Sequence, residues 1–285
     1  MSFSELDWIA VLLRTITYAS TIAVAGGVLA QVTLNMARVS HTLNRQIILG
    51  ALTLFLCEPL RYVFFQLSIA QGDWALAFDP SMRWIAMDMP LGRASGIRLL
   101  GAMTVIIGFV WRPIAVVGAL LIISSYLFEG HTLSHGNWLL LAAFLFTHLT
   151  LVHWWLGALL PLKAATALEP EDTAYTVSLI EDFGRKAMIG VVILLISGLM
   201  MLGELTTWTL SISSTYQQSF AIKLAAFTAL LSIAAINKLI WTPLLTRQPA
   251  AGQRGLRTSI HIETATAVLV LLATSTATSF PPLEH

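Results

Sequence analysis

The chain has 285 residues, of which 56% are hydrophobic and only 11% charged, with a mean hydropathy of +0.78. A soluble domain carries roughly 25% charged residues because its surface faces water. This composition therefore excludes a cytosolic enzyme, a disordered chain and a disulfide scaffold. Sixteen Lys and Arg against fifteen Asp and Glu leave no basic field for nucleic acid, and the single cysteine, Cys57, excludes an intrachain disulfide or a cysteine-rich metal cluster.

A helix crossing about 30 Å of hydrocarbon needs roughly 20 apolar residues. About eight stretches meet that need, at residues 8–30, 47–69, 95–111, 113–128, 138–161, 183–202, 220–239 and 258–280. The expected fold is all-α, a polytopic transmembrane helix bundle with the lipid bilayer as its solvent. Residues 1–162 form an N-terminal half of five spans and residues 163–282 a second part of three. The third and fourth spans are short and meet at Trp111-Arg112-Pro113, read as a tight turn. The first span has no basic flank or small-residue cleavage site and is expected to be retained. Leu283-Glu284-His285 is read as a tag remnant.

Basic residues gather in the odd-numbered connections (Arg38, Arg45, Arg112, Lys163, Arg185, Lys186, Arg247, Arg254 and Arg257), whereas the even-numbered ones hold Asp73, Asp79, Asp88, Glu129 and Glu204 with only Arg83 and Arg93. Lys and Arg mark the cytoplasmic side, so both termini are expected in the periplasm, with the protein in a bacterial inner membrane. Trp8, Trp74, Trp84, Trp138, Trp208 and Trp241 fall near span ends, as an aromatic belt would place them.

Ionisable groups at bilayer depth cost at least ~2.5 kcal/mol each and need a partner or a purpose. Arg14, Glu58, Arg61, Arg98, His148, His153, Lys223, His261 and Glu263 are such groups. Glu58 and Arg61, three apart, share a helix face and are read as a structural ion pair, with Pro59 between them as a kink. Lys223 is expected to snorkel, and His261 and Glu263 to sit at a solvated span end.

Two groups of soft ligands stand out. Met82, Met87 and Met89 cluster in the external segment, and His131 and His135 lie four apart in the next external loop. His148 and His153 lie in the fifth span; five residues turn a helix by about 500°, so the two rings point in different directions. Imidazole suits copper and haem iron, and thioether suits Cu(I). No Walker loop, cysteine pair or hydrolase motif is present to support an ATP-driven pump or an intramembrane hydrolase.

From Phe183 to Pro282 the chain resembles the copper-resistance D (CopD) family of bacterial inner-membrane proteins. The resemblance is carried by 215–224 (TYQQSFAIKL), Ala234-Ala235-Ile236-Asn237-Lys238 with Pro243, 256–263 (LRTSIHIE) and Phe280-Pro281-Pro282. Upstream, His148-Leu149, Trp155-Leu156-Gly157-Ala158-Leu159 and Gly130-His131-Thr132 are similar to family pieces. Two departures stand: no histidine follows Arg14, and Gln217 replaces the usual glycine.

The resemblance implies copper handling beside a periplasmic copper-binding protein, by a transporter rather than an enzyme. Copper, as Cu(I) rather than Cu(II), would meet Met82, Met87, Met89, His131 or His135 outside and pass His148 and His153. The alternative is a haem-b redox protein acting on copper or a quinone, with His131, His148, His153 and His261 as candidate axial ligands.

Overall fold

The computed structural model describes residues 5–129, 136–206 and 215–279, and among them there is no strand. The chain is an all-α bundle. α1 (Glu5–Thr21) runs through a π-helical turn (Ile22–Gly26) into α2 (Gly27–Thr33), and α3 (Ser40–Ile69) returns antiparallel to it. Two short helices follow, α4 (Trp74–Ala77) and α5 (Pro80–Asp88), and then the hairpin of α6 (Pro90–Ile107) and α7 (Arg112–Ser124). A 3-10 turn (Ser125–Phe128) ends that hairpin. α8 (Trp138–Ala165), α9 (Thr173–Thr206), α10 (Thr215–Ile236), α11 (Thr242–Arg247) and α12 (Pro249–Ser279) complete the bundle, with a second π-helical turn (Asn237–Trp241) joining α10 to α11.

Local chemistry explains these limits. Asp73 and Asp79 cap α4 and α5, their carboxylates accepting from the N–H groups of Ala75, Leu76 and Ser81. Pro80, Pro90 and Pro113 stand in first turns, where a missing N–H costs nothing. At Gly108 to Trp111 the chain reverses in one tight turn, as the Arg112-Pro113 signal predicts.

Six helical segments among the described residues are long and apolar enough to cross a membrane. The α6–α7 hairpin is shorter, and its helices approach through facing glycines: a Cβ on Gly101 would lie 2.8 Å from the Gly118 carbonyl. In lipid, such close backbone packing replaces the hydrophobic effect as the force between helices.

The α1–α2 segment lies at the centre, touched by α3, α7, α8 and α12, while α10 packs chiefly on α12. Only 6% of its most apolar stretch is buried, against 50% for the first span. The basic connections meet at one end of the bundle. There Arg257 donates to the Thr166 carbonyl at 2.8 Å, Tyr175 to the Asn35 carbonyl at 2.8 Å, and Lys186 to the Thr33 carbonyl at 2.5 Å.

Crossing of α1–α2 with α8 fixes the interior. Gly26 and Gly157 face each other so closely that a Cβ on Gly157 would lie 2.5 Å from Gly26 Cα. Gln46 of α3 ties the crossing together, donating to the Ala23 carbonyl of the π-helical turn at 3.2 Å and to the Gly157 carbonyl of α8 at 2.9 Å, whose i+4 partner Pro161 has no N–H to give. Gln46→Leu would strand both buried carbonyls. It is expected to cost about 1–3 kcal/mol, read as a lower unfolding midpoint in detergent.

Candidate functional site

Three buried polar groupings lie in the bundle, and each draws on helices far apart in sequence. The first is centred on Arg98 of α6, which is fully buried. Its Nη1 donates to Glu58 Oε1 at 2.6 Å, its Nη2 to Glu129 Oε1 at 2.8 Å and its Nε to Ser125 Oγ at 3.1 Å. Arg61 clasps the other side of Glu129, with both guanidinium contacts at 3.2 Å, and stands 3.6 Å from Glu58. Ser95 donates to Glu58 Oε2 at 2.5 Å.

The expected Glu58–Arg61 pair is therefore one edge of a four-residue network whose shortest bonds run to Arg98. Two guanidiniums balance two carboxylates, which is the condition for holding charges away from water. Half-buried Arg14 lies within electrostatic reach of the same network, near Tyr18, Arg61, Glu129 and Arg98. Glu129 lies just past the 3-10 turn, at the end of the described α7 segment. Burial alone would raise its carboxyl, but Arg98 and then Arg61 overcome that and hold it down to about 2.

The second grouping continues inward. Arg98 lies 4.5 Å over the Tyr126 ring, a cation–π contact. The Tyr126 hydroxyl is 2.8 Å from Thr21 Oγ1, and Thr21 Oγ1 is 3.3 Å from His153 Nε2. His153 is 3% exposed, and its Nδ1 lies 2.7 Å from the Leu149 carbonyl. A carbonyl only accepts, so Nδ1 carries the proton and, in the neutral ring, Nε2 keeps its electron pair. Metal-binding histidines are commonly held in this way, with the second nitrogen donating to a carbonyl.

The third grouping corrects a sequence expectation. Glu263 is not at a solvated span end but 3% exposed, and it accepts from Trp155 Nε1 at 2.8 Å and Asn237 Nδ2 at 3.2 Å. His261, two residues away, is exposed and lies 3.5 Å from Lys163 Nζ. Trp155, Asn237 and Glu263 are among the residues that carry the sequence resemblance, and the fold brings them together from α8, the second π-helical turn and α12.

The remaining candidates are dispersed. His148, half-buried, faces α9 with Ser197 Oγ 3.5 Å from its Nδ1, so His148 and His153 do point to different neighbours, as their spacing predicts. Met82 is half-buried in α5 while Met87 and Met89 are exposed. His131 and His135 lie outside the described residues, as do Trp208 and the closing Phe280-Pro281-Pro282; the side chain of Lys223 is likewise not described. Among the described residues no three His, Cys, Asp or Glu side chains gather as a metal cluster. His148, His153 and His261 meet three different sets of neighbours, which gives the haem alternative no support.

The acidic residues of the connections expected outside also have partners. Asp79 accepts from the Ser81 hydroxyl and amide, which lower its carboxyl, and Asp88 pairs with Arg93 at 2.5 Å on the surface. Glu204 accepts from Asn137 at 3.1 Å. Sequence reasoning counted Glu129 only among the acidic residues of the external connections and missed Ser95, Tyr126, Thr21 and Gln46. None carries a motif, and Glu129 reads as an ordinary loop residue until Arg98 is seen opposite it.

No curated protein and no solved structure matches the chain. Residues 177–277, which hold Asn237 and Glu263, match the family model CopD, copper resistance protein D. Over that stretch, the C-terminal part of an all-α chain with membrane-spanning helices, the protein is similar to copper resistance protein D.

Proposed function

We propose that this protein moves copper between periplasm and cytoplasm across a bacterial inner membrane, both termini being periplasmic. Copper as Cu(I) is taken up outside from a periplasmic copper-binding protein by Met82, Met87, Met89, His131 and His135, and passes inward by His148 and His153. The CopD match over residues 177–277 makes copper the cargo to test. The observation that carries the route is His153, buried mid-bundle with Nδ1 tied to a carbonyl and Nε2 turned toward Thr21. The dispersal of the other histidines and methionines suits conduction, in which each site must release the ion it binds.

The test is copper uptake and copper tolerance in cells carrying single variants. His153→Ala and His148→Ala are each expected to lower copper flux about tenfold, the low end of losses seen when a metal-binding set is disturbed. His41→Ala, at an exposed position in the first turn of α3, should leave it unchanged. Parental flux in both α8 variants would overturn the assignment.

A further inference from the structure

Glu263 sits on a membrane-spanning helix, and among the described residues no positive charge lies beside it. Its two bonds come from Trp155 and Asn237, both neutral donors. The ion pairs among the described residues all lie elsewhere, so none of those cations is within 4.0 Å of its oxygens. An ionised carboxylate offers about four acceptor positions, and only two are filled.

Beside it, Asn237 Oδ1 is buried and has no hydrogen-bond partner. This oxygen belongs to the same amide whose nitrogen bonds Glu263. The Asn237 backbone carbonyl accepts from both the Thr242 N–H and, at 2.8 Å, Thr242 Oγ1, so the backbone of this turn is satisfied without the Asn237 side-chain amide.

The charged groups on the packed elements are turned to other partners. From α8, Lys163 meets His261 and His153 meets Thr21. Lys238, next to Asn237, points its Nζ toward Gly184 of α9, where a Cβ would lie 3.6 Å away. On α12 itself, Arg257 donates to the Thr166 carbonyl. From α1, Arg14 and Tyr18 lie near the Arg98 network. Arg247 of α11 and Arg254 of α12 are exposed at the basic end.

A bare carboxylate inside a membrane protein is too costly to leave uncompensated. Among the described residues no cation stands against it, so an exchangeable one must. We propose that Glu263, with the Asn237 amide oxygen beside it, is a binding site for a small monovalent cation, a proton or a sodium ion, inside the bundle. Oxygen donors suit a hard cation rather than Cu(I), and one carboxylate balances a single positive charge. Use of this ion to drive copper passage rests on the function proposed above; the site itself does not.

Infrared difference spectra of the full chain in liposomes test the site directly. One arm moves from mildly acidic to mildly alkaline buffer without sodium; the other adds sodium chloride at fixed alkaline pH. A protonated-carboxyl band in the first arm, or a carboxylate shift in the second, is expected in the parent protein and lost in Glu263→Gln. The first result identifies the proton as the ion and the second sodium. Trp155→Phe keeps the carboxylate and should move the band rather than abolish it, so its shift separates a lost site from a misfolded variant. Spectra of parent and Glu263→Gln that coincide in both arms overturn the proposal. A Glu263 band in a protein that moves no copper keeps the site and overturns the copper reading instead.

Discussion

Arg98→Met is expected to destabilise the protein by about 3–5 kcal/mol, the usual cost of removing one partner from a buried charge network. Arg98 holds Glu58 at 2.6 Å and Glu129 at 2.8 Å, and with its guanidinium gone Arg61 alone faces two carboxylates, 3.6 Å from Glu58 and 3.2 Å from Glu129. Glu58 is fully buried, so water cannot replace the lost donor. Thermal unfolding in detergent measures the loss.

The double variant Arg98→Met with Glu58→Gln restores charge balance and should recover part of the stability, since apolar or neutral replacements of buried ion pairs are often tolerated. The penalty also has a pH signature. The Glu129 carboxyl is lower in the folded chain, at about 2, than the ordinary 4.5, so its contribution is complete above about 4.5 and fades as pH falls toward about 2. Parent and Arg98→Met should therefore converge in acid. A midpoint unchanged by Arg98→Met at neutral pH would show that the network does not hold the bundle.

Gly157→Ala should cost about 1–3 kcal/mol or more, the range for forcing extra volume into a packed core. Its Cβ would meet only backbone, at 2.5 Å from Gly26 Cα and 2.8 Å from Gly27 N. Neither can turn aside, so α8 must move away from the α1–α2 segment. That movement breaks both Gln46 bonds and stretches the His153–Thr21 contact. Unfolding midpoint and copper flux should fall together. Gly96→Ala is the contrast: nothing lies within 4 Å of its added Cβ, so the change should be neutral or slightly stabilising through helix propensity. Equal midpoints for the two variants would contradict the close crossing.

Hydropathy and periodicity already determine the all-α membrane bundle, because a chain in lipid must satisfy its backbone within each crossing segment. The turn at Arg112-Pro113, the divergent faces of His148 and His153 and the CopD resemblance of the C-terminal region were likewise legible, since each depends on spacing along one helix or on local residue identity. Partnership across helices was not. The sequence joins Glu58 to Arg61 because they are three apart, yet the stronger bonds reach Arg98, 40 residues on, and Glu129 lies 68 residues from Arg61. It places Glu263 near water because a span begins close by, whereas Trp155, 108 residues earlier, covers it. Burial of a polar group depends on which helices pack together, and here the packing turns on glycine contacts and two π-helical turns. Those are set by three-dimensional fit between backbones, which no single segment encodes.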